Sequence, residues 1–313
     1  RVHAFDCMRL IFASALVAGL PLLLPVSRAG AQPPSALAPP STMKADGVPA
    51  IHQSLAAEIA PYGEFTPTRF ASWHPLEPEM LVLRRAGNTT QLFLQSTPMG
   101  KPHQLTRGRE PVRAAVFEPK RGEYILLSRD VSGDEATQIY RLDPKTLHEV
   151  PITPSGELNT LGPWNSAHDK VILLSRTLDR NGKREQAGTD VVAIDPLQPE
   201  ARFKLTALPG AGWRVLRWLD RENRLVLSEY VSSTVSKLWL LDLATGKRTE
   251  LGTGSTPVAE NGDRWLYRKR LDGDFTKLSR VDLKSGDRQW VTKDIENDVD
   301  DWSVTKGGKR VAV

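Results

Sequence analysis

The chain has 313 residues, 40% apolar and 25% charged, with a formal net charge of +5. That length can bury a substantial core and exceeds one ordinary domain unless the fold is repetitive. Its basic residues are scattered among acidic ones without a Lys/Arg block, which argues against a nucleic-acid partner. The single cysteine, Cys7, excludes a disulfide framework.

The first segment has the grammar of an export signal. Arg9 leads into the almost uncharged run Leu10–Leu24, and Ala29-Gly30-Ala31 follows as a small-residue cleavage site. Met8 is then the natural start, with Arg1–Cys7 upstream of it, and 1–31 are expected to leave an exported protein, periplasmic or secreted. The apolar run is about 15 residues and is broken by Pro21, short of the ~20 needed to span a bilayer, so no membrane contact is expected after cleavage. Residues 1–31 hold three basic residues and one acidic, so the mature net charge is +3, and no thiolate nucleophile remains. Residues 32–64 read as a Pro-rich linker (PPSALAPPST) ending in a short helix at His52–Pro61.

From Phe65 to Val313 one phrase recurs six times: an aromatic or apolar anchor, a polar turn, and a strand-forming run. The copies are WHPLEPEMLVL from Trp73, FEPKRGEYILLS from Phe117, WNSAHDKVILLS from Trp164, WLDRENRLVLS from Trp218, VAENGDRWLYR from Val258 and WSVTKGGKRVAV from Trp302. Anchors lie 44, 47, 54, 40 and 44 residues apart. A period in the forties with several short strands per unit predicts an all-β fold, a β-propeller whose blades are four-stranded. The sixth copy stops at Val313 inside its strand, so the last blade is expected to be incomplete.

Each of the first five anchor phrases is followed by a second run ending at a turn: QLFLQ from Gln91, QIYRLD from Gln138, DVVAID from Asp190, KLWLLD from Lys237 and KLSRVD from Lys277. Their alternation fits half-buried or buried strands. A third run closes four of the units, as in HQLT from His103, HEVPIT from His148, KRTELG from Lys247 and RQWVT from Arg288. Asp143, Asp195, Asp242 and Asp282 recur where strand meets turn, and a carboxylate there is expected to cap the turn through its own backbone rather than bind a ligand. Trp73, Trp164, Trp218 and Trp302 share one repeat position and are expected to pack between adjacent blades. The histidines beyond the leader, His52, His74, His103, His148 and His168, fall in turns, outer strands or the linker, where surface roles suffice.

Two passages carry a resemblance: SRDVSGDEATQIYRLDP, Ser128–Pro144, and SRTLDRNGKREQAGTDVVAIDP, Ser175–Pro196. Both resemble the propeller of the prolyl oligopeptidase family of serine peptidases, in particular dipeptidyl-aminopeptidase and acylaminoacyl-peptidase-like members. Arg129, Asp130, Gly133, Asp134, Glu135, Gln138 and Tyr140 match the first pattern. Asp179, Arg180, Asn181, Gly182, Lys183, Asp190 and Asp195 match the second, with Val192 where the family usually has Tyr. The resemblance implies a propeller of seven or eight blades followed by an α/β-hydrolase domain bearing Ser, Asp and His. It implies as partners that hydrolase domain and, in the full-length enzyme, short peptide substrates, with no cofactor. The G-x-S-x-G elbow that presents the nucleophile is not in this sequence, and GTGSTP around Ser255 lacks its spacing. No catalytic residue is therefore assigned, and the chain alone is expected to be inactive. The candidates for a substrate or domain interface are Arg129, Asp130, Asp134, Glu135, Arg180 and Asn181, because loops on a rigid scaffold concentrate function.

Other constellations are weaker. Asp294, Glu296, Asp298 and Asp300 alternate, but no Gly-bearing loop wraps an ion, and a solvated connection between blades is expected. DRNGKREQAGTD is not an EF-hand, since Lys183 takes a ligand position; no metal site is assigned. The phrase WSVTKGGKRVAV is shared with TolB-like propellers, which leaves a second reading, a free-standing periplasmic propeller that docks other proteins. A third, weaker one is a propeller enzyme with metal or acid residues in its channel.

Overall fold

The computed structural model describes residues 35–63, 65–130, 133, 136–177, 188–233, 235–254, 259–261, 264–305 and 310–313. The segment expected to be a signal peptide, residues 1–31, lies outside them. The chain divides into two compact units at Phe65/Thr66. In the first, Leu37 N–H donates to Ile51 O at 2.8 Å and Gln53 N–H to Ser35 O at 2.9 Å, just ahead of helix α1 (Gln53–Gly63). None of the helix residues is buried, and Leu55, Ile59 and Tyr62 form an exposed apolar stripe at helical spacing. No helix among the described residues is long and apolar enough to cross a membrane.

The second unit is a β-propeller built of antiparallel sheets in strict sequence order. The first sheet runs β1 (Thr68–Trp73), β2 (Met80–Ala86), β3 (Thr89–Gln95) and β4 (His103–Gln104). The second runs β5 (Val112–Phe117), β6 (Ile125–Arg129), β7 (Gln138–Leu142) and β8 (Glu149–Pro151). The third runs β9 (Glu157–Trp164), β10 (Val171–Thr177), β11 (Thr189–Asp195) and β12 (Gln198–Leu208). The fourth runs β13 (Trp213–Leu219), β14 (Arg224–Tyr230), β15 (Ser236–Asp242) and β16 (Arg248–Gly254). The fifth runs β17 (Ala259–Asn261), β18 (Trp265–Asp272), β19 (Phe275–Asp282) and β20 (Arg288–Trp290). The sixth shows two described strands, β21 (Ser303–Val304) and β22 (Val311–Ala312).

The repeated phrase is thus a hairpin, not a lead-in to a strand. In the first four copies the anchor is the tail of a first strand that the sequence pattern did not disclose: Trp73, Phe117, Trp164 and Trp218 pair with Met80, Ile125, Val171 and Leu225 across the turn, whereas Trp302 stands just before β21. These first strands carry mixed residues such as Arg113 in VRAAVF and Asn159 in ELNTLGPW, so they lack the apolar run that marks the second strands. Strand β12, eleven residues long, was also silent in the pattern: QPEARFKLTAL is half charged or polar and largely exposed.

Every described core cluster lies between neighbouring sheets, which is why the unit repeats. Leu81 and Leu83 meet Ile125 and Leu127; Leu126 and Ile139 meet Val171 and Leu173; Ile172 and Leu174 meet Leu225 and Leu227. Val226 and Leu238 meet Leu266 and Val281, and Tyr267 and Leu278 meet Val299 and Trp302. Alternate residues of one second strand therefore serve two interfaces, so each sheet reads apolar on both faces. A sheet alone would expose both, and stacking removes about 1.5–3 kcal/mol of exposure cost per buried Leu, Ile or Val.

The anchors follow the same logic with one exception. Trp164 sits 6.5 Å from the Tyr124 ring of the preceding sheet, Trp218 joins the core between the third and fourth sheets, and Trp302 lies 6.0 Å from Tyr267. Trp73 does not pack between blades: it is 62% exposed and leans on Phe70 at 5.5 Å. Its homologues turn toward the preceding sheet, and among the described residues no sheet precedes the first.

Candidate functional site

Both passages singled out in the sequence connect the second and third strands of their sheets, between β6 and β7 and between β10 and β11. Antiparallel order puts these connections on the same face of adjacent blades. Of the six candidate residues, Asp134, Glu135, Arg180 and Asn181 lie outside the described residues, as do most of the two loops. The described bases of the loops are held by ion pairs.

Asp130, just past the end of β6, is 3% exposed. Its two carboxylate oxygens each accept from Arg113 Nε at 2.9 Å, Arg113 Nη2 makes a further contact, and Thr137 Oγ1 donates to Oδ1 at 3.3 Å. The Arg113 hydrogen bonds hold this carboxyl below the usual aspartate range despite its burial. Arg129, the last residue of β6, bonds through Nη2 to the Glu149 carboxylate on β8, and its guanidinium stacks 4.4 Å above the Tyr140 ring. Both side chains point into their own sheet. In the third blade, Glu157 accepts from Arg202 Nη1 at 3.0 Å and Nη2 at 2.9 Å, and from Ser175 Oγ at 2.6 Å. The Arg202 bonds keep Glu157 below its ordinary range. Sequence reasoning did not find Arg113, Glu149, Glu157 or Arg202, because each pair joins strands 17 to 45 residues apart.

Gln138, quoted above as part of the family-like pattern, has a structural duty. Its Oε1 accepts from Thr153 Oγ1 at 2.7 Å, its Nε2 donates to Glu157 O at 2.6 Å, and Thr153 Oγ1 in turn accepts the Ile139 N–H at 3.0 Å. The same clip recurs in the first blade: Thr106 Oγ1 donates to Gln91 Oε1 at 2.7 Å and accepts the Leu92 N–H at 2.9 Å. In the fifth, Leu278 N–H donates to Thr292 Oγ1 at 2.9 Å. A threonine just after the outer strand thus fastens that edge to the third strand, and in the first two blades the glutamine reaches on to the next sheet's approach. The closing Thr of HQLT, HEVPIT and RQWVT was the sequence signal for it.

The recurrent aspartates cap their turns as expected. Asp143 Oδ1 accepts from Lys145 and Thr146 N–H at 2.7 and 3.1 Å, Asp195 from Leu197 at 2.8 Å, Asp242 from Ala244 and Thr245 at 3.0 and 2.8 Å, and Asp282 from Lys284 and Ser285 at 2.8 and 3.3 Å. Backbone bonds to the charged form hold Asp143 and Asp242 below the usual range. His74 likewise accepts the Leu76 and Glu77 N–H groups at its Nδ1, 3.2 and 3.0 Å away. Asp298 Oδ1 accepts the Thr276 N–H at 2.6 Å, tying the acidic 294–300 stretch to the start of β19.

The opposite face holds an open crevice of about 330 Å³ between the first turns of the third and fourth blades, lined by Trp164, His168, Trp218 and Asp220 among others. Ser166 Oγ donates to Asp220 Oδ2 at 2.9 Å and its N–H to Oδ1 at 3.2 Å, which binds the two turns together. Among the described residues no three His, Cys, Asp or Glu side chains converge on a point where an ion could sit.

No protein-family model matches the chain, and no curated protein does either. Solved structures do. An acylaminoacyl peptidase, solved in complex with Z-Gly-Gly-Phe-chloromethyl ketone, aligns with a TM-score of 0.55 at 15% identity, over 77% of this chain and 42% of its own. A puromycin-hydrolysing peptidase of Mycobacterium tuberculosis aligns at 0.54 and 12% identity, over 71% of this chain and 38% of its own. TolB from Acinetobacter baumannii aligns at 0.47 and 17% identity, over 71% and 53%, too loosely to carry an argument. This chain therefore spans about two fifths of the length of either peptidase. At such identities the likeness is one of fold, and the fold shared is the β-propeller.

Proposed function

We propose that this chain is the propeller portion of an exported serine peptidase of the prolyl oligopeptidase family, covering the active site of an α/β-hydrolase domain and restricting access to short peptides. The observation that carries the proposal is the placement of the two family-like loops at equivalent positions of adjacent blades, so that both open on one face. Their bases are pinned by Arg113–Asp130, Arg129–Glu149 and Arg202–Glu157, which leaves a rigid platform beneath the loops. The likeness to two peptidases, of whose length the chain covers 42% and 38%, agrees with it. Arg129 and Asp130 then act by holding the loops, while Asp134, Glu135, Arg180 and Asn181 are the groups offered to the domain or the peptide.

The test is to read the source gene beyond Val313. Further repeats, then roughly 250 residues with G-x-S-x-G and a later Asp and His, are expected for a hydrolase of this build. An intact gene that completes the propeller and encodes no such domain refutes the proposal and favours the protein-docking propeller instead.

A further inference from the structure

Arg268 heads the fully buried side chains of the molecule, with 2% exposure. It stands on β18, opposite Ser279. Aligning the sheets on their threonine clips and turn aspartates puts Val82, Leu127, Leu173 and Leu227 at the same place in the first four, all of them buried. The fold therefore needs only an apolar side chain here. Leu266 and Val281 on the same face meet Val226, Leu238 and Leu251, so strand alternation turns Arg268 toward the fourth sheet.

Among the described residues no carboxylate pairs with it. Its Nε and Nη1 find no acceptor among the described residues. Ser279 spends its hydroxyl on the Arg268 carbonyl at 3.2 Å. Asp272, in the same hairpin, is engaged by Lys277 at 3.2 Å. Burial, and then the charges of Arg270 and Arg288, depress it to about 10, so it stays charged at neutral pH; among the described residues the charges acting on it are these two cations. Arg270 lies over the Trp290 ring at 5.2 Å and is half-buried, while Arg288 is exposed, so the cluster runs from the interface to solvent. Gly252 on β16 closes the far side. Its φ is +122°, a backbone that favours glycine, and the Arg288 guanidinium carbon lies 2.9 Å from where a Cβ would stand. A buried guanidinium with two nitrogens unpartnered among the described residues, beside two like charges, is strongly unfavourable unless an anion joins it.

We propose that Arg268, Arg270 and Arg288, backed by Gly252, form an oxyanion-binding site between the fourth and fifth sheets. The planar fork of Arg268 would take two oxygens of a phosphate, sulfate or carboxylate through the nitrogens now unpaired. The site stands apart from the peptidase proposal and survives its failure.

The experiment is calorimetric and thermal titration of the full chain with inorganic phosphate, sulfate and acetate, against sodium chloride at equal ionic strength. Saturable binding with a Kd below about 1 mM and a rise in Tm of several degrees are expected. Arg268→Leu should weaken that binding by at least about tenfold. It should also melt no lower than wild type in chloride, because leucine is what three other sheets carry. Arg288→Ala, on an exposed residue, should weaken binding several-fold and serves if Arg268→Leu does not fold. Saturation by phosphate and sulfate alone assigns a tetrahedral anion; equal saturation by acetate assigns a carboxylate. No saturable response beyond chloride, or a response undiminished in both variants, overturns the site.

Discussion

Replacing Thr153 by valine removes one hydroxyl from the clip that fastens the second blade. Valine keeps the shape and β-branching, so the strand preference is unchanged. The lost group accepts the Ile139 N–H at 3.0 Å and donates to Gln138 Oε1 at 2.7 Å, and Thr153 is only 7% exposed. Two hydrogen bonds at about 1 kcal/mol each would already be felt. The larger part is the Ile139 N–H, left without a partner on a residue of 0% exposure, at about 1–3 kcal/mol. Gln138 Oε1 keeps a long contact from Asn159 Nδ2 at 3.5 Å and is only partly orphaned. We expect a loss of about 2–3 kcal/mol, or a fall in Tm of about 4–10 °C for a unit of this size. Urea unfolding at unchanged m measures it, with exposed Thr68→Val as the control. Hydrogen exchange at the Ile139 amide should quicken with it. In a double-mutant cycle, Gln138→Leu should cost much less once Thr153 is already valine. A Thr153→Val loss below about 0.5 kcal/mol, or additive effects of the two substitutions, would show that the threonine is not the fastener.

The anchors offer a contrast: Trp164→Ala should cost about 2–4 kcal/mol because it empties an interface between sheets, whereas Trp73→Ala, on a 62% exposed ring, should cost under about 1 kcal/mol; similar losses in chemical denaturation would contradict the asymmetry. Asp130 has a carboxyl held low in the folded chain, so its stabilisation is present above the unfolded value of about 4 and fades as the pH falls through the folded one. The Tm gap between wild type and Asp130→Asn should therefore be flat above about pH 5 and narrow below about pH 4; a gap that widens on acidification would rule out the Arg113 pairing as its source. In the full-length enzyme of the proposed function, Asp134→Ala should lower peptide turnover about tenfold while sparing hydrolysis of a small ester, about 1.4 kcal/mol of selective loss. Equal losses on both substrates, tracking a fall in Tm, would make the loop purely structural.

The sequence by itself determined the repeat, the propeller and most second and third strands, because those strands are buried on both faces and read as short apolar runs such as YILLS and KVILLS. It also determined the turn caps, since an aspartate can satisfy backbone N–H groups two and three residues on without help from elsewhere in the chain. The first strands and β12 were decided by tertiary structure: their residues are mixed in polarity, and pairing with an already recognisable neighbour, not their own pattern, makes them strands. The fate of each charge was decided there too. Arg113 and Asp130 are 17 residues apart and Arg202 and Glu157 45 apart, distances over which only the fold can bring partners together. Two arginines of similar local sequence end oppositely for the same reason. Arg129 meets Glu149 across its own sheet, while Arg268, on the equivalent strand three blades on, is turned by alternation into an apolar interface where no described carboxylate meets it.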